Sequence, residues 1–328
     1  MWTPIITELN KGQHIIISSH INPDCDALGS ELALAYHLKA MGKEVSILNS
    51  DSIPPTYQFL DPDELIQLYA AHKHAATLAQ ADTIIVVDAS GWKRLGKVGN
   101  DLSKTKAAII CIDHHPDGRP FADFSYVDAN VVATGELIFD LITAMDGKIT
   151  PLMAQALYAA ISTDSGNFRF PKTGARTHRI IAELLEAGAE PARVYKLLYE
   201  QQSPELVRLE GEVLQHIQLA ANGQIATIGI SLDTLQKYHI QASALDGFSN
   251  LPQKVAGVKV AIFLVEQANN RVKVSFRSDG NVAVNTLAAK FGGGGHVPAA
   301  GATIAGRLED VTQQLIKAAE ALVENGRR

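Results

Sequence analysis

The chain has 328 residues, 46% of them apolar and 20% charged, so it can bury a substantial core and is expected to form two domains. Its apolar runs fall well short of the roughly 20 residues a membrane-spanning helix needs, and no basic-then-apolar leader opens it; a cytoplasmic protein without a membrane partner is expected. The net charge of −6 argues against a long nucleic-acid polymer as ligand, but a short strand or small anion held by local cations stays open.

Through the first half, short β-rich runs alternate with helical patterns, the signature of a parallel sheet covered by helices. HIIISS (14–19) reads as a strand. ALGSELALAYHLKAMG follows as a helix with apolar residues at Leu28, Leu32, Leu34, Ala35 and Leu38, closed by Gly42. KEVSILN, TIIVVD and AAIICID are further strands, apolar enough to be buried on both faces. TGELIFDLITAM and PLMAQALYAAIS read as helices, the second opened by Pro151. Two more helical patterns carry the chain to Gln202, and SPELVRLEGEVLQHIQLA (203–220) reads as a helix able to bridge two lobes.

Beyond it the texture changes. QIATIGIS, KVAIFLVEQ and RVKVSFRS are strands, with the ANN between the last two suited to a hairpin. The helix VAVNTLAAKF, the glycine run GGGGH and a final amphipathic helix complete the chain. The expected fold class is therefore α/β in two domains. A parallel-sheet catalytic domain with helices on both faces spans 1–200, a helical linker 201–221, and a smaller α/β domain 222–328.

Four segments place metal-ligating side chains at the carboxyl ends of apolar elements, where open α/β sheets build their sites. They are His20, Asp24 and Asp26; Asp88; Asp113, His114 and His115; and Asp164. Singly, each has an ordinary reading as a cap, turn or packed residue. Together, so many carboxylates at one end of a sheet repel one another unless cations lie between them. Mixed imidazole and carboxylate donors without thiolates suit Mn²⁺, with Mg²⁺, Co²⁺ or Fe²⁺ as alternatives, better than a structural zinc. A pair of such ions suits phosphoester hydrolysis. Cys25 and Cys111 are expected to be structural.

With these residues assembled, the sequence resembles the DHH phosphoesterase family. HINPDCDALGS, VVDAS, IDHHP and STDSGNFR look like its four motifs in order, and GGGGHVPAAG looks like the signature of the DHH-associated C-terminal domain. The likeness is strongest to the branch that hydrolyses very short oligoribonucleotides to mononucleotides and 3′-phosphoadenosine 5′-phosphate (pAp) to AMP. The resemblance implies that His20 and Asp24 bind one ion, that Asp26, His114 and Asp164 bind the other, and that Asp88 bridges them. It also implies that His115 faces the substrate phosphate as donor or general acid, with Asp113 in the catalytic group or orienting a histidine.

In the second domain, Gly293, Gly294 and Gly295 offer backbone N–H groups to an anion, His296 a stacking or phosphate contact, and Arg277 a fork for a terminal phosphate. Phe168 and Arg169 follow Asp164 closely enough to be substrate contacts as well. The expected partners are short oligonucleotides and small phosphorylated nucleotides, acted on by a monomer or homodimer. Two alternatives stand beside this reading: a cyclic-di-AMP or linear-dinucleotide phosphodiesterase of the same family, and a non-catalytic nucleotide-binding sensor.

Overall fold

The computed structural model describes residues 2–115, 121–245 and 247–325. The chain divides into two compact units, 1–201 and 202–328.

The first unit opens with α1 (Thr3–Lys11), β1 (His14–Ser18), α2 (Cys25–Ala40), β2 (Glu44–Asn49) and β3 (Ile66–Leu68). It continues through α3 (Ala71–Gln80), β4 (Thr83–Val87), α4 (Gly96–Leu102), β5 (Ala108–Asp113) and β6 (Phe124–Val127). Four helices finish it: α5 (Thr134–Ala144), α6 (Pro151–Asp164), α7 (Ala175–Glu186) and α8 (Pro191–Tyr199).

The six strands form one sheet in the order β3-β2-β1-β4-β5-β6, with every pairing parallel. Alternation along the strands fills two layers. Ile15, Ile17, Ile85, Val87, Ile110 and Ile112 pack with α2, α5 and α6, while Ile16, Ile84 and Val86 pack with Leu95, Val98 and Leu102 around α4. The chain winds outward from β1 in one direction and from β4 in the other, so the switch point falls between them. Ligands of such sheets bind outside the carboxyl ends at that point.

Local chemistry sets the helix that feeds this end. Asp24 caps α2 by accepting from the Asp26 and Ala27 N–H groups at 3.0 and 3.1 Å. At α6, Thr150 caps and Pro151 occupies the first turn; the helix runs on to Asp164, two residues beyond its expected end.

The second unit comprises α9 (Pro204–Gln215), β7 (Gln218–Ala220), β8 (Ile225–Ile230), α10 (Leu232–Lys237), β9 (Val260–Gln267) and β10 (Arg271–Ser278). After them come α11 (Val284–Lys290), β11 (Gly294–His296), β12 (Ala299–Ala305) and α12 (Leu308–Asn325). The sheet order is β11-β12-β10-β9-β8-β7, antiparallel except for the parallel pair β8 and β9. Asn269 and Asn270 both take left-handed conformations in the expected hairpin.

Two details correct the sequence reading. The helix expected over 203–220 ends at Gln215, and Gln218–Ala220 instead pair with β8, so backbone pairing overrides the helical pattern there. The glycine run, given no element of its own in that reading, ends in one: its last residues form β11 against β12. Helix α9, in the stretch expected to be a linker, buries Leu209 and Val213 with Ile228 and Ile230.

Candidate metal centre

The carboxyl ends of β1, β4 and β5 are adjacent, and they bring His20, Asp88 and the Asp113–His115 run together with Asp24 and Asp26 from α2 and Asp164 from the end of α6. Among the described residues, three groups of donor atoms result, each within 4.8 Å: His20, Asp24 and Asp88; Asp26, His114 and Asp164; and Asp88, His114 and His115. Asp88 belongs to the first and third groups, and His114 links the third to the second. Asp88 Oδ2 lies 3.3 Å from His20 Nε2 and its Oδ1 3.6 Å from His114 Nε2.

Within the first two groups, His20 Nε2 to Asp24 Oδ2 is 3.8 Å, and His114 Nε2 lies 3.3 Å from Asp164 Oδ2 and 3.9 Å from Asp26 Oδ2. A charge-assisted hydrogen bond would draw N and O to about 2.7–2.9 Å. Two donors each about 2.1 Å from a shared ion would instead lie about 3.0–3.4 Å apart. All five separations are too long for direct charge-assisted bonds, and the two at 3.3 Å fall in the range for donors sharing a divalent cation.

Surrounding groups hold the donors in place. His20 Nδ1 lies 2.8 Å from the Ile21 carbonyl, which suits the tautomer that leaves Nε2 free toward the carboxylates. Asp24 commits Oδ1 to the α2 cap and turns Oδ2 toward His20. Asp26 is buried, and its two oxygens accept from the Gly135 and Thr134 N–H groups at 2.8 and 2.7 Å, at the N-terminus of α5. Asp88 sits in the left-handed region at φ 55°, an uncommon conformation that aspartate tolerates better than most residues, and it accepts from Thr134 Oγ1 at 2.9 Å.

Asp113 belongs to none of the three groups. Its Oδ1 accepts from the His114 and His115 N–H groups and lies 2.8 Å from His115 Nδ1, while its other oxygen accepts from Ser90. That leaves His115 Nε2 unconstrained by Asp113. The Asp113 hydrogen bond raises the His115 pKa above its ordinary value against the effect of burial.

Without ions the cluster is electrostatically frustrated. Burial, then the charges of Asp24 and Asp88, pushes Asp164 up to about 7, and burial with the neighbouring aspartates raises Asp26 and Asp24 as well. His20, which burial alone would push down, is held up to about 9 by Asp88 and Asp24. Cations would relieve the repulsion that these shifts express.

Sequence reasoning misses Thr134, Gly135 and Ser90. The only local signal is that Thr134 and Gly135 open a helical pattern. Cys25, between two of the aspartates, is buried with its thiol pushed up by burial, and Cys111 is likewise buried and pushed up to about 12; both are free thiols.

Phe168 and Arg169 lie in the turn that follows α6. Phe168 is half-buried, its ring centroid 6.3 Å from Tyr158 and 5.5 Å from His178, while Arg169 is exposed with its guanidinium 5.5 Å from the Phe170 ring. Arg277, in the second unit, donates to the Phe276 carbonyl at 3.1 Å. A Cβ on Gly293 would meet the Gly301 carbonyl oxygen at 2.1 Å and one on Gly295 the Ala299 oxygen at 2.6 Å, whereas Gly294 faces open space. Close approach to β12 thus requires two of these glycines whatever they bind. The His296 side chain lies outside the described residues.

Comparison with known proteins bears on the whole chain. Residues 14–161 match the DHH family, N-terminal domain, and residues 223–325 match the DHHA1 domain. The bifunctional oligoribonuclease and PAP phosphatase NrnA of Bacillus subtilis is 30% identical over 93% of this chain and 93% of that protein. Its namesake from Thermus thermophilus is 32% identical over 94% of this chain and 89% of that one. A crystal structure of an exopolyphosphatase-related protein from Bacteroides fragilis superposes with a TM-score of 0.92 at 28% identity, covering 98% and 97% of the two chains. This chain belongs to the DHH family and carries the DHHA1 domain behind the catalytic one. It is accordingly a metal-dependent phosphoester hydrolase.

Proposed function

We propose that the protein hydrolyses very short oligoribonucleotides to mononucleotides and converts pAp to AMP, with Mn²⁺ as the working ion. The observation that carries this reading is Asp88, which presents one oxygen to the His20–Asp24 side and the other to the His114–Asp164 side. In this reading His20 and Asp24 hold one ion, Asp26, His114 and Asp164 the other, and Asp88 both. The ions would supply Lewis-acid polarisation and neutralise charge building on the phosphate.

The chain's own residues do the rest. Asp113 fixes His115 through Nδ1, so that Nε2 can give a proton to the departing ribose oxygen. Thr134 and the N-terminus of α5 hold Asp88 and Asp26 still, so the donors need little reorganisation on binding. In the division of labour proposed here, residues 1–200 carry the chemistry, 201–221 connect, and 222–328 bind substrate through Arg277, Gly293–Gly295 and His296. Arg169 and Phe168 are proposed as further contacts. A cytoplasmic setting agrees with two buried, free cysteines.

Timed product analysis on 5′-labelled RNAs of increasing length, with and without Mn²⁺, tests the reading, with pAp and cyclic di-AMP run in parallel. Dinucleotides and pAp should be consumed fastest and only with the ion. Preferential turnover of cyclic di-AMP or of long RNA would overturn it.

A further inference from the structure

Glu31 is fully buried on α2 and, among the described residues, has no cationic side chain bonded to it. A carboxyl buried on a helix that also carries the core residues Leu28, Leu32 and Leu34 is costly unless its geometry is used. Its Oε2 accepts from Asn49 Nδ2 at 2.8 Å, at the carboxyl end of β2. Asn49 is equally buried, and its Oδ1 accepts from the Ser19 N–H at 3.2 Å and from Ser18 Oγ at 3.4 Å. Ser19 immediately precedes His20.

An asparagine amide is free to flip unless its partners distinguish oxygen from nitrogen. The Ser19 N–H, which can only donate, and Glu31 Oε2, which accepts from Nδ2, together tell the two ends of the amide apart, so Nδ2 faces Glu31 and Oδ1 faces the end of β1. We propose that Glu31 is a positioning residue for the metal centre: by orienting Asn49, it fixes the Ser18–Ser19 backbone and thereby the placement of His20. Nothing in the metal-centre motifs requires Glu31, and in the sequence it reads as one polar position on a helix. Its carboxyl is pushed up to about 8, by burial first, in keeping with a group retained where solvent cannot reach it.

The inference rests on the reading of His20 as an ion ligand, and the test separates the two. Chelator-treated protein is titrated calorimetrically with Mn²⁺ alone, for wild type, Asn49→Asp, Glu31→Gln and the double variant. Each melting temperature is recorded in parallel. Asn49→Asp sets a carboxylate against Glu31 and should weaken one Mn²⁺ site roughly 10-fold or more, the range for groups that orient ligands. Glu31→Gln keeps an acceptor for Asn49 and should stay within about threefold of wild type on the same grounds. In the double variant, the amide introduced at position 31 can donate to the carboxylate introduced at position 49, whose other oxygen accepts from Ser19, and affinity should return. A double variant no better than Asn49→Asp, or an Asn49→Asp protein that binds like wild type, overturns the inference. Failure of the wild type to bind Mn²⁺ would instead overturn the underlying metal-site reading. Rescue of affinity that does not track the melting temperatures distinguishes positioning from general stabilisation.

Discussion

Thr134 Oγ1 donates to Asp88 Oδ1 at 2.9 Å, across 46 residues of sequence, while the same residue's N–H donates to Asp26 Oδ2 at 2.7 Å. One residue at the start of α5 thus orients two of the acidic donors. Thr134→Val keeps the shape and the N–H but removes the hydroxyl. Hydrolysis of a dinucleotide should fall roughly 10- to 100-fold, as for other groups that orient ligands, and Thr134→Ser should recover most of it. Steady-state rates for the two variants check this; equal rates for valine and wild type would remove Thr134 from the site.

His115 is assigned to the leaving group, and that assignment depends on how good the leaving group is. His115→Ala should cost about 10²–10⁴-fold on a dinucleotide, whose ribose oxygen needs a proton. On thymidine 5′-p-nitrophenyl phosphate, where p-nitrophenolate departs unprotonated, the loss should be much smaller. A uniform loss on both substrates would place His115 elsewhere in the mechanism.

Ion-free protein should become less stable as pH rises. Asp164 is raised from 3.8 to about 7 in the folded state, by burial first and by its acidic neighbours second. Its contribution is fully present below the unfolded value of 3.8 and is lost as pH rises through about 7. Asp26 and Asp24, also raised, act in the same direction. Thermal denaturation in chelator between about pH 5 and 8 should therefore show a downward slope, which Asp164→Asn flattens and added Mn²⁺ abolishes in the wild type. An unchanged slope in Asp164→Asn would show that its carboxyl is not the frustrated group.

In the glycine run, packing and binding can be separated. Gly293→Ala places a Cβ 2.1 Å from the Gly301 carbonyl oxygen and should destabilise the second unit by about 1–3 kcal/mol. Gly294→Ala meets open space and should leave stability intact, so any rise in KM would come from its proposed substrate contact. Denaturation midpoints and KM values for the two variants provide the check.

Much of the architecture and the donor groups can be read from the chain because their signals are local. His20, Asp88 and Asp113 each end a short apolar run, and such runs in a parallel sheet deliver their last residues to one edge. The supporting residues leave no such mark. Thr134, Ser90 and Asn49 act on groups 46, 23 and 18 residues away, and a hydroxyl or amide at those distances has no pattern of its own. β7 reads as helix because its pairing with β8, not its own sequence, decides its conformation. The cap of α2 is legible as one ordinary reading of an aspartate before a helix; that Asp24 divides its oxygens between the cap and His20 follows from the fold.

The central claim is that Asp88 serves two ions at once. Asp88→Asn preserves a residue that tolerates the left-handed backbone and removes only the charge. The decisive measurement is the Mn²⁺ content per chain of this variant and of wild type after identical loading and dialysis. The account predicts about two ions for wild type and at most one for Asp88→Asn. Two ions retained by the variant would contradict it.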